Sequence, residues 1–339
     1  MIALVAITAL VVVGVIMTRQ ESTPPPGPPT AKPPTSSSES GAPSLHVDES
    51  TPLVEVMSAP EFDGFGPLLF PFYDRITDGM TVADTGMLLP YHSNIRPDEV
   101  ARTLNGMLAG ARDGNLDFHP IYGDEEISGD PSKAQVGLFF FRGDADAPLA
   151  IVSPGGGFSY VGSVHEGFPY AQRIAAQGYN AFVLNYRTGG GGRFATEDLA
   201  AAIDYVIANQ STLGVGTEGY SLWGSSAGAR MAANLGSYGT VAFGRHDRPR
   251  PAAVIMAYTG HTSYTQRDPA TFAVVGSNDG IASPSVMEER VRRLERAGID
   301  AKLQRYHGIG HGFGLGTGTV AEGWVDDALA FWTEQLDAG

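Results

Sequence analysis

The stretch Tyr220-Ser221-Leu222-Trp223-Gly224-Ser225-Ser226-Ala227-Gly228 constrains the fold more than any other part of this chain. It reads as a strand that turns sharply into a helix around Ser226. Apolar Leu222 and Trp223 lead in, and Ala227, Met231, Ala232 and Leu235 then recur at helical spacing, with Gly236 placed to stop the helix. The core of the turn, Gly224 to Gly228, fits G-x-S-x-G, a pattern in which a serine sits in strained backbone at the tip of a sheet. Glycine on either side is required sterically, because strand and helix approach each other too closely for a Cβ. A plain Gly/Ser loop would satisfy the pentapeptide but not its flanks.

A strand feeding a helix needs a sheet to belong to, and the rest of the chain supplies one. After Pro131, short apolar runs alternate with amphipathic stretches, the mark of a parallel sheet with crossover helices. The expected strands are 136–141, 149–153, 180–185, 219–223, 253–257, 271–275 and 301–306. The expected helices are 168–177, 195–209, 227–236, 285–297 and 320–336. The apolar content of 42% over 339 residues is enough for one large core. The fold class is therefore α/β, a mostly parallel central sheet with helices on both faces.

Residues 1–18 are almost wholly aliphatic from Ile2 to Met17 and read as a signal peptide or membrane anchor. As a helix the run spans about 24 Å, short of the ~30 Å hydrocarbon core. No A-x-A site follows, which favours an uncleaved anchor. Residues 19–50 are rich in Pro, Ser and Thr and read as a disordered linker. The catalytic domain is then 51–339, exported to the cell envelope or beyond it, with a membrane partner only if the anchor is kept. Within it, 51–130 reads as an N-terminal extension packing on the domain. Its one clear helix starts at Pro97, carries Val100, Leu104, Met107 and Leu108 on one face and can close at Gly114. The aromatic stretch from Phe62 to Phe72 is broken by Gly and Pro and reads as irregular packing.

A serine hydroxyl is a poor nucleophile until a base takes its proton. His311 is the expected base. It lies in His307-Gly308-Ile309-Gly310-His311-Gly312-Phe313, a glycine-rich loop after the last strand, and His307 is its competitor. These two also make an H-x-x-x-H spacing, but glycines between them speak against a helix and no glutamate follows the first, so no metal is expected. The acid is expected after the preceding strand, where Phe272-Ala273-Val274-Val275-Gly276-Ser277-Asn278-Asp279 ends on a carboxylate. Asp279 would orient His311, and the chain order Ser226, Asp279, His311 matches that of a nucleophile-elbow hydrolase. Ser153-Pro154-Gly155-Gly156-Gly157-Phe158 offers backbone N–H groups to a developing oxyanion. Gly156 and Gly157 are the candidates, with the N–H of Ala227. It lacks the Gly-Lys-Ser/Thr of a phosphate loop. Phe158, Tyr258 and His261 are candidate walls for a substrate. Asp124, Glu125 and Glu126 read as solvated acids.

With these motifs in order, the sequence from about 135 to 336 resembles the α/β-hydrolase superfamily. Pro154-Gly155-Gly156-Gly157-Phe158 is similar to the esterase and lipase His-Gly-Gly-Gly-Phe oxyanion motif, with proline where many relatives carry histidine. Asn185-Tyr186-Arg187 and the acidic helix start Glu197-Asp198 also resemble their counterparts there. The likeness is greatest to small secreted esterases of the acetyl-xylan and feruloyl type. It implies a serine esterase without a cofactor, acting through an acyl-enzyme on short acyl esters, carbohydrate-linked ones among them.

Composition narrows the rivals. A net charge of −15 leaves no basic stripe for nucleic acid. The absence of cysteine removes disulfides, thiolate metal sites and a cysteine nucleophile. A serine peptidase of the same fold is the nearest alternative, though 51–130 has no room for a propeller. A non-catalytic binding module is the alternative from another class.

Overall fold

The computed structural model describes residues 44–338. The segment expected at 1–18, and 19–43 of the expected linker, lie outside the described residues. No helix among those described is long and apolar enough to cross a membrane. The folded unit begins at Leu45, earlier than the expected 51. Val47 is buried, its N–H donating to Asn105 Oδ1 at 2.9 Å and its carbonyl accepting from Asn105 Nδ2 at 2.7 Å. A single apolar residue behind a Pro/Ser run leaves too little pattern to read.

Eight strands form one sheet: β1 (Leu116–Pro120), β2 (Gly137–Phe141), β3 (Pro148–Ser153), β4 (Asn180–Asn185), β5 (Gly216–Ser225), β6 (Ala253–Ala257), β7 (Ala270–Gly276) and β8 (Ala301–Tyr306). Their spatial order is β1-β2-β4-β3-β5-β6-β7-β8, with β1, β2 and β4 antiparallel in turn and the rest parallel. The central runs are apolar throughout because both faces are covered. Ala150, Ile151 and Val152 on β3 and Val254, Ile255 and Met256 on β6 are fully enclosed.

The strand missed in the sequence is β1. It lies at the sheet edge, where alternation is loose and Pro120 needs no ladder N–H. Its Phe118 packs on Phe139 of β2, ring centres 4.9 Å apart.

The helices are α1 (Leu53–Met57), α2 (Pro97–Arg112), α3 (Asp124–Gly129), α4 (Ser163–Glu166), α5 (Phe168–Ala175), α6 (Arg193–Ala208), α7 (Gln210–Leu213), α8 (Ala227–Tyr238), α9 (Pro284–Arg296) and α10 (Trp324–Ala338). The aromatic stretch from Phe62 to Phe72 forms short 3-10 turns, as its Gly and Pro content predicts. Helix ends differ from expectation: α10 begins at Trp324 rather than 320, and α8 does not stop at Gly236 but runs to Tyr238, with Gly239 in the left-handed region after it. Gly236 is there for packing, since a Cβ would meet Val254 Cγ2 at 2.9 Å.

Parallel crossovers are right-handed. From β3 to β4 the chain steps one way along the sheet, and from β5 to β6 it steps the other. The helices in those crossovers, α5 and α8, therefore cover opposite faces. Between β3 and β5 the strand order reverses, and such a switch point opens a crevice at the carboxyl ends of the strands. Ser226 and the glycines after Ser153 both sit at that edge.

Candidate active site

At the end of β5 the chain turns within one residue. Ser226 has φ 51° and ψ −110°, an unfavourable conformation for a residue with a Cβ, costing about 1–3 kcal/mol. Packing holds it there. Its N–H donates to the Ala257 carbonyl of β6 at 2.8 Å. A Cβ at Gly224 would run into the Gly228 backbone, and one at Gly228 into the Ser153 carbonyl of β3. Both glycines are thus required by the close approach of α8 to the sheet.

Asp279 and His311 come from the ends of β7 and β8. The two loops are tied together: Asn278 N–H donates to the Ile309 carbonyl at 2.9 Å, and Gly308 N–H to Ser277 Oγ at 2.8 Å. His311 Nδ1 lies 2.7 Å from Asp279 Oδ2, and His311 Nε2 lies 2.9 Å from Ser226 Oγ. A carboxylate only accepts, so Nδ1 carries the proton and Nε2 presents its lone pair to the serine. Asp279 is held from its other oxygen as well, where Oδ1 accepts from Ile281 N–H at 2.8 Å and Ala282 N–H at 2.7 Å. The three residues expected to act together do meet. His307 lies exposed and outside this group.

The loop after β3 passes through positive φ at Gly156 (137°), Gly157 (62°) and Phe158 (57°). It is pinned from behind by Glu166, a fully buried carboxylate in no sequence motif. Glu166 Oε2 accepts from Gly155 N–H at 2.8 Å and lies 3.1 Å from His92 Nε2, while Oε1 accepts from Tyr258 Oη at 2.6 Å. His92 comes from the extension, and beside it Ser93 Oγ donates to the His311 carbonyl at 2.7 Å. The extension therefore braces both the glycine loop and the base. Nothing in the sequence marks these contacts; the one signal is an acid at 166 among small and aromatic residues.

This brace gives the protein an acid-sensitive core. Burial would push Glu166 up, but His92 and the hydroxyl of Tyr258 hold it down to about 2. Burial, with His92 nearby, pushes His165 down to about 4. Unfolded, His165 binds its proton near 6.5, so between pH 6.5 and 4 the unfolded chain gains a proton the folded one refuses. Stability should fall across that window by up to about 3 kcal/mol. A second loss follows between 4.5 and 2 as Glu166 protonates. Urea unfolding midpoints at pH 7, 5.5 and 4 measure the first; a flat series contradicts it.

Comparison with known proteins bears on the fold. The family model BD-FAE matches residues 142–250. No curated protein matches the sequence. Among solved structures, MGS-M1, an α/β-hydrolase enzyme from a Medee basin deep-sea metagenome library, superposes with TM-score 0.55 at 23% identity, covering 66% of this chain and 98% of that one. The acetyl ester-xyloside bifunctional hydrolase of Caldicellulosiruptor lactoaceticus gives 0.56 at 19% identity, covering 64% and 96%. A thermophilic esterase of Thermogutta terrifontis with propionate bound gives 0.55 at 17% identity, covering 65% and 94%.

The chain has the α/β-hydrolase fold.

In this fold a cleft of about 600 Å³ opens at Ser226. Gly157 and Ala227 line it, and their N–H groups meet no acceptor among the described residues. Gly156 does not line it. That glycine is buried, the Tyr160 carbonyl fills its Cβ position, and its N–H, like that of Gly157, meets no acceptor among the described residues. Phe158 and His261 line the cleft. Tyr258 does not. It is fully buried, committed to Glu166, and packs edge-on to the His311 ring at 5.1 Å. It directly follows β6, and its backbone there has φ 38°. The acids at 124–126 form exposed α3, where Glu126 pairs with Arg245 at 3.1 Å. A larger hollow of about 770 Å³ beside β1 holds none of Ser226, Asp279 or His311.

Proposed function

We propose that this chain is a serine hydrolase of carboxylic esters with short acyl groups. The observation that carries the reading is the Asp279–His311–Ser226 relay at the sheet's switch point, with Gly157 and Ala227, whose N–H groups meet no acceptor among the described residues, lining the same cleft. Ser226 Oγ bonds to the ester carbonyl carbon as His311 Nε2 takes its proton. The carbonyl π pair moves onto oxygen, where the two N–H groups stabilise the charge. Collapse breaks the bond to the alkoxide, which leaves with the proton from His311. A water then gives a proton to Nε2 and attacks the acyl carbon; the second collapse frees the acid and returns the proton to Ser226. Asp279 stabilises the imidazolium throughout without taking a proton.

Short acyl groups suit a cleft without a lid: residues 258–269, between β6 and β7, contain no helix. The acetyl-ester and propionate chemistry in the names of the similar structures points the same way. A series of 4-nitrophenyl esters tests the reading. kcat/KM should be highest from acetyl to butyryl and fall about tenfold or more by octanoyl. Equal rates on octanoyl would reject the short-acyl preference, and no turnover of any ester would reject the esterase.

A further inference from the structure

The cleft beside Ser226 has a charge pattern opposite to that of the chain. Acids outnumber bases 37 to 22 over the whole sequence. Yet no Asp or Glu lines this cleft, and its one permanently charged residue is Arg230. Four residues after Ser226 on α8, Arg230 lies one turn along the same helix face, and helical side chains lean back toward the N-terminus. Its guanidinium therefore stands over the cleft, 5.8 Å from the centre of the Phe158 ring. It makes no ion pair with any described residue, unlike Arg290, which is buried and neutralised by Asp268 at 2.8 Å. The cleft's other basic group is His261. Burial, with Arg290 and Arg230 nearby, pushes it down to about 4, so it is neutral at pH 7. Its Nε2 is enclosed and has no hydrogen-bond partner among the described residues. Asn234, Thr259 and Thr262 add neutral polar groups.

An unpaired guanidinium in a wall without carboxylates is a receptor for an anion, and its planar fork matches a carboxylate. We infer that the site takes esters that carry a free carboxylate, with Arg230 as the specificity-determining contact. The carboxylate would lie roughly one helical turn, about 6 Å, from the scissile carbonyl. It can sit on the acid or on the alcohol side of the ester. This inference rests on the ester-hydrolase reading, and its test separates the two.

Affinity is measured by calorimetry in the Ser226→Ala protein, which cannot turn over what it binds. Two carboxylate esters, 4-acetoxybenzoate (alcohol side) and mono(4-nitrophenyl) adipate (acid side), are compared with their neutral counterparts, methyl 4-acetoxybenzoate and 4-nitrophenyl hexanoate. One carboxylate ester should bind at least about tenfold tighter than its neutral partner, and which one does so assigns the side. The preference should fall to near unity on adding Arg230→Met, persist in part with Arg230→Lys, and shrink with added salt. Absence of any preference, or a preference that survives Arg230→Met, overturns the inference. Turnover by the unsubstituted protein is scored separately. Hydrolysis of neutral esters with no carboxylate preference in binding rejects the inference alone; a carboxylate preference in binding with no hydrolysis of any ester rejects the hydrolase alone.

Discussion

Replacing Ser226 by alanine is expected to lower kcat on 4-nitrophenyl acetate by about 10⁴-fold or more, with the fold intact. The two halves of this expectation have separate causes. Chemistry is lost because Oγ is the only atom on the serine able to bond to the acyl carbon, and His311 Nε2, now 2.9 Å from nothing, has no proton to take. What remains is the background from the Gly157 and Ala227 N–H groups and from binding. The fold survives because alanine keeps the same Cβ at the same positive φ, so the strain at the turn is unchanged. The Ser226 N–H still reaches the Ala257 carbonyl. Steady-state rates and a thermal unfolding curve on the same sample make the check. A kcat within tenfold of the original would remove Ser226 from the mechanism.

Asp279→Asn is expected to have the next largest effect, about 10⁴-fold in kcat. The change is nearly isosteric, and an asparagine oxygen facing Ile281 and Ala282 would keep the two N–H bonds that shape the turn. The amide NH₂ then faces His311 Nδ1. Two donors cannot share a hydrogen bond, so the imidazole adopts the tautomer with its proton on Nε2, pointing at Ser226 instead of accepting from it. The base is present and wrongly protonated. Loss of the carboxylate also removes the charge that stabilises the imidazolium. The pattern to look for is a collapse in kcat with little change in KM and an unfolding midpoint close to the original. A loss below tenfold would make Asp279 a turn residue and leave His311 working unaided.

The centre of the sheet was legible because its strands are buried on both faces, so β4 and β6 begin and end where their apolar runs do. Ser226, Asp279 and His311 were legible for a related reason. Each follows a strand closely, and chain order alone places strand ends along one edge of a parallel sheet. The β1 edge and the long-range contacts were not. β1 has an Asp, a His and a Pro among its five residues and takes its register from β2. Glu166 and His92 are 74 positions apart and meet only because the extension folds across the glycine loop. Tyr258 misled because sequence shows that a residue follows a strand but not which way its backbone turns. Gly156 and Gly157 are alike in sequence, yet one is buried against the Tyr160 carbonyl and the other is exposed on the cleft.

The central claim is that Ser226 is a nucleophile activated by His311. The most direct measurement is reaction of the folded protein with a fluorophosphonate, followed by peptide mass mapping. Attack on phosphorus requires the same deprotonated Oγ and the same oxyanion site as attack on an ester. The account predicts a single adduct, on Ser226, formed much more slowly when His311 is replaced by alanine. A folded protein that forms no adduct, or forms one elsewhere while Ser226 stays free, would contradict it.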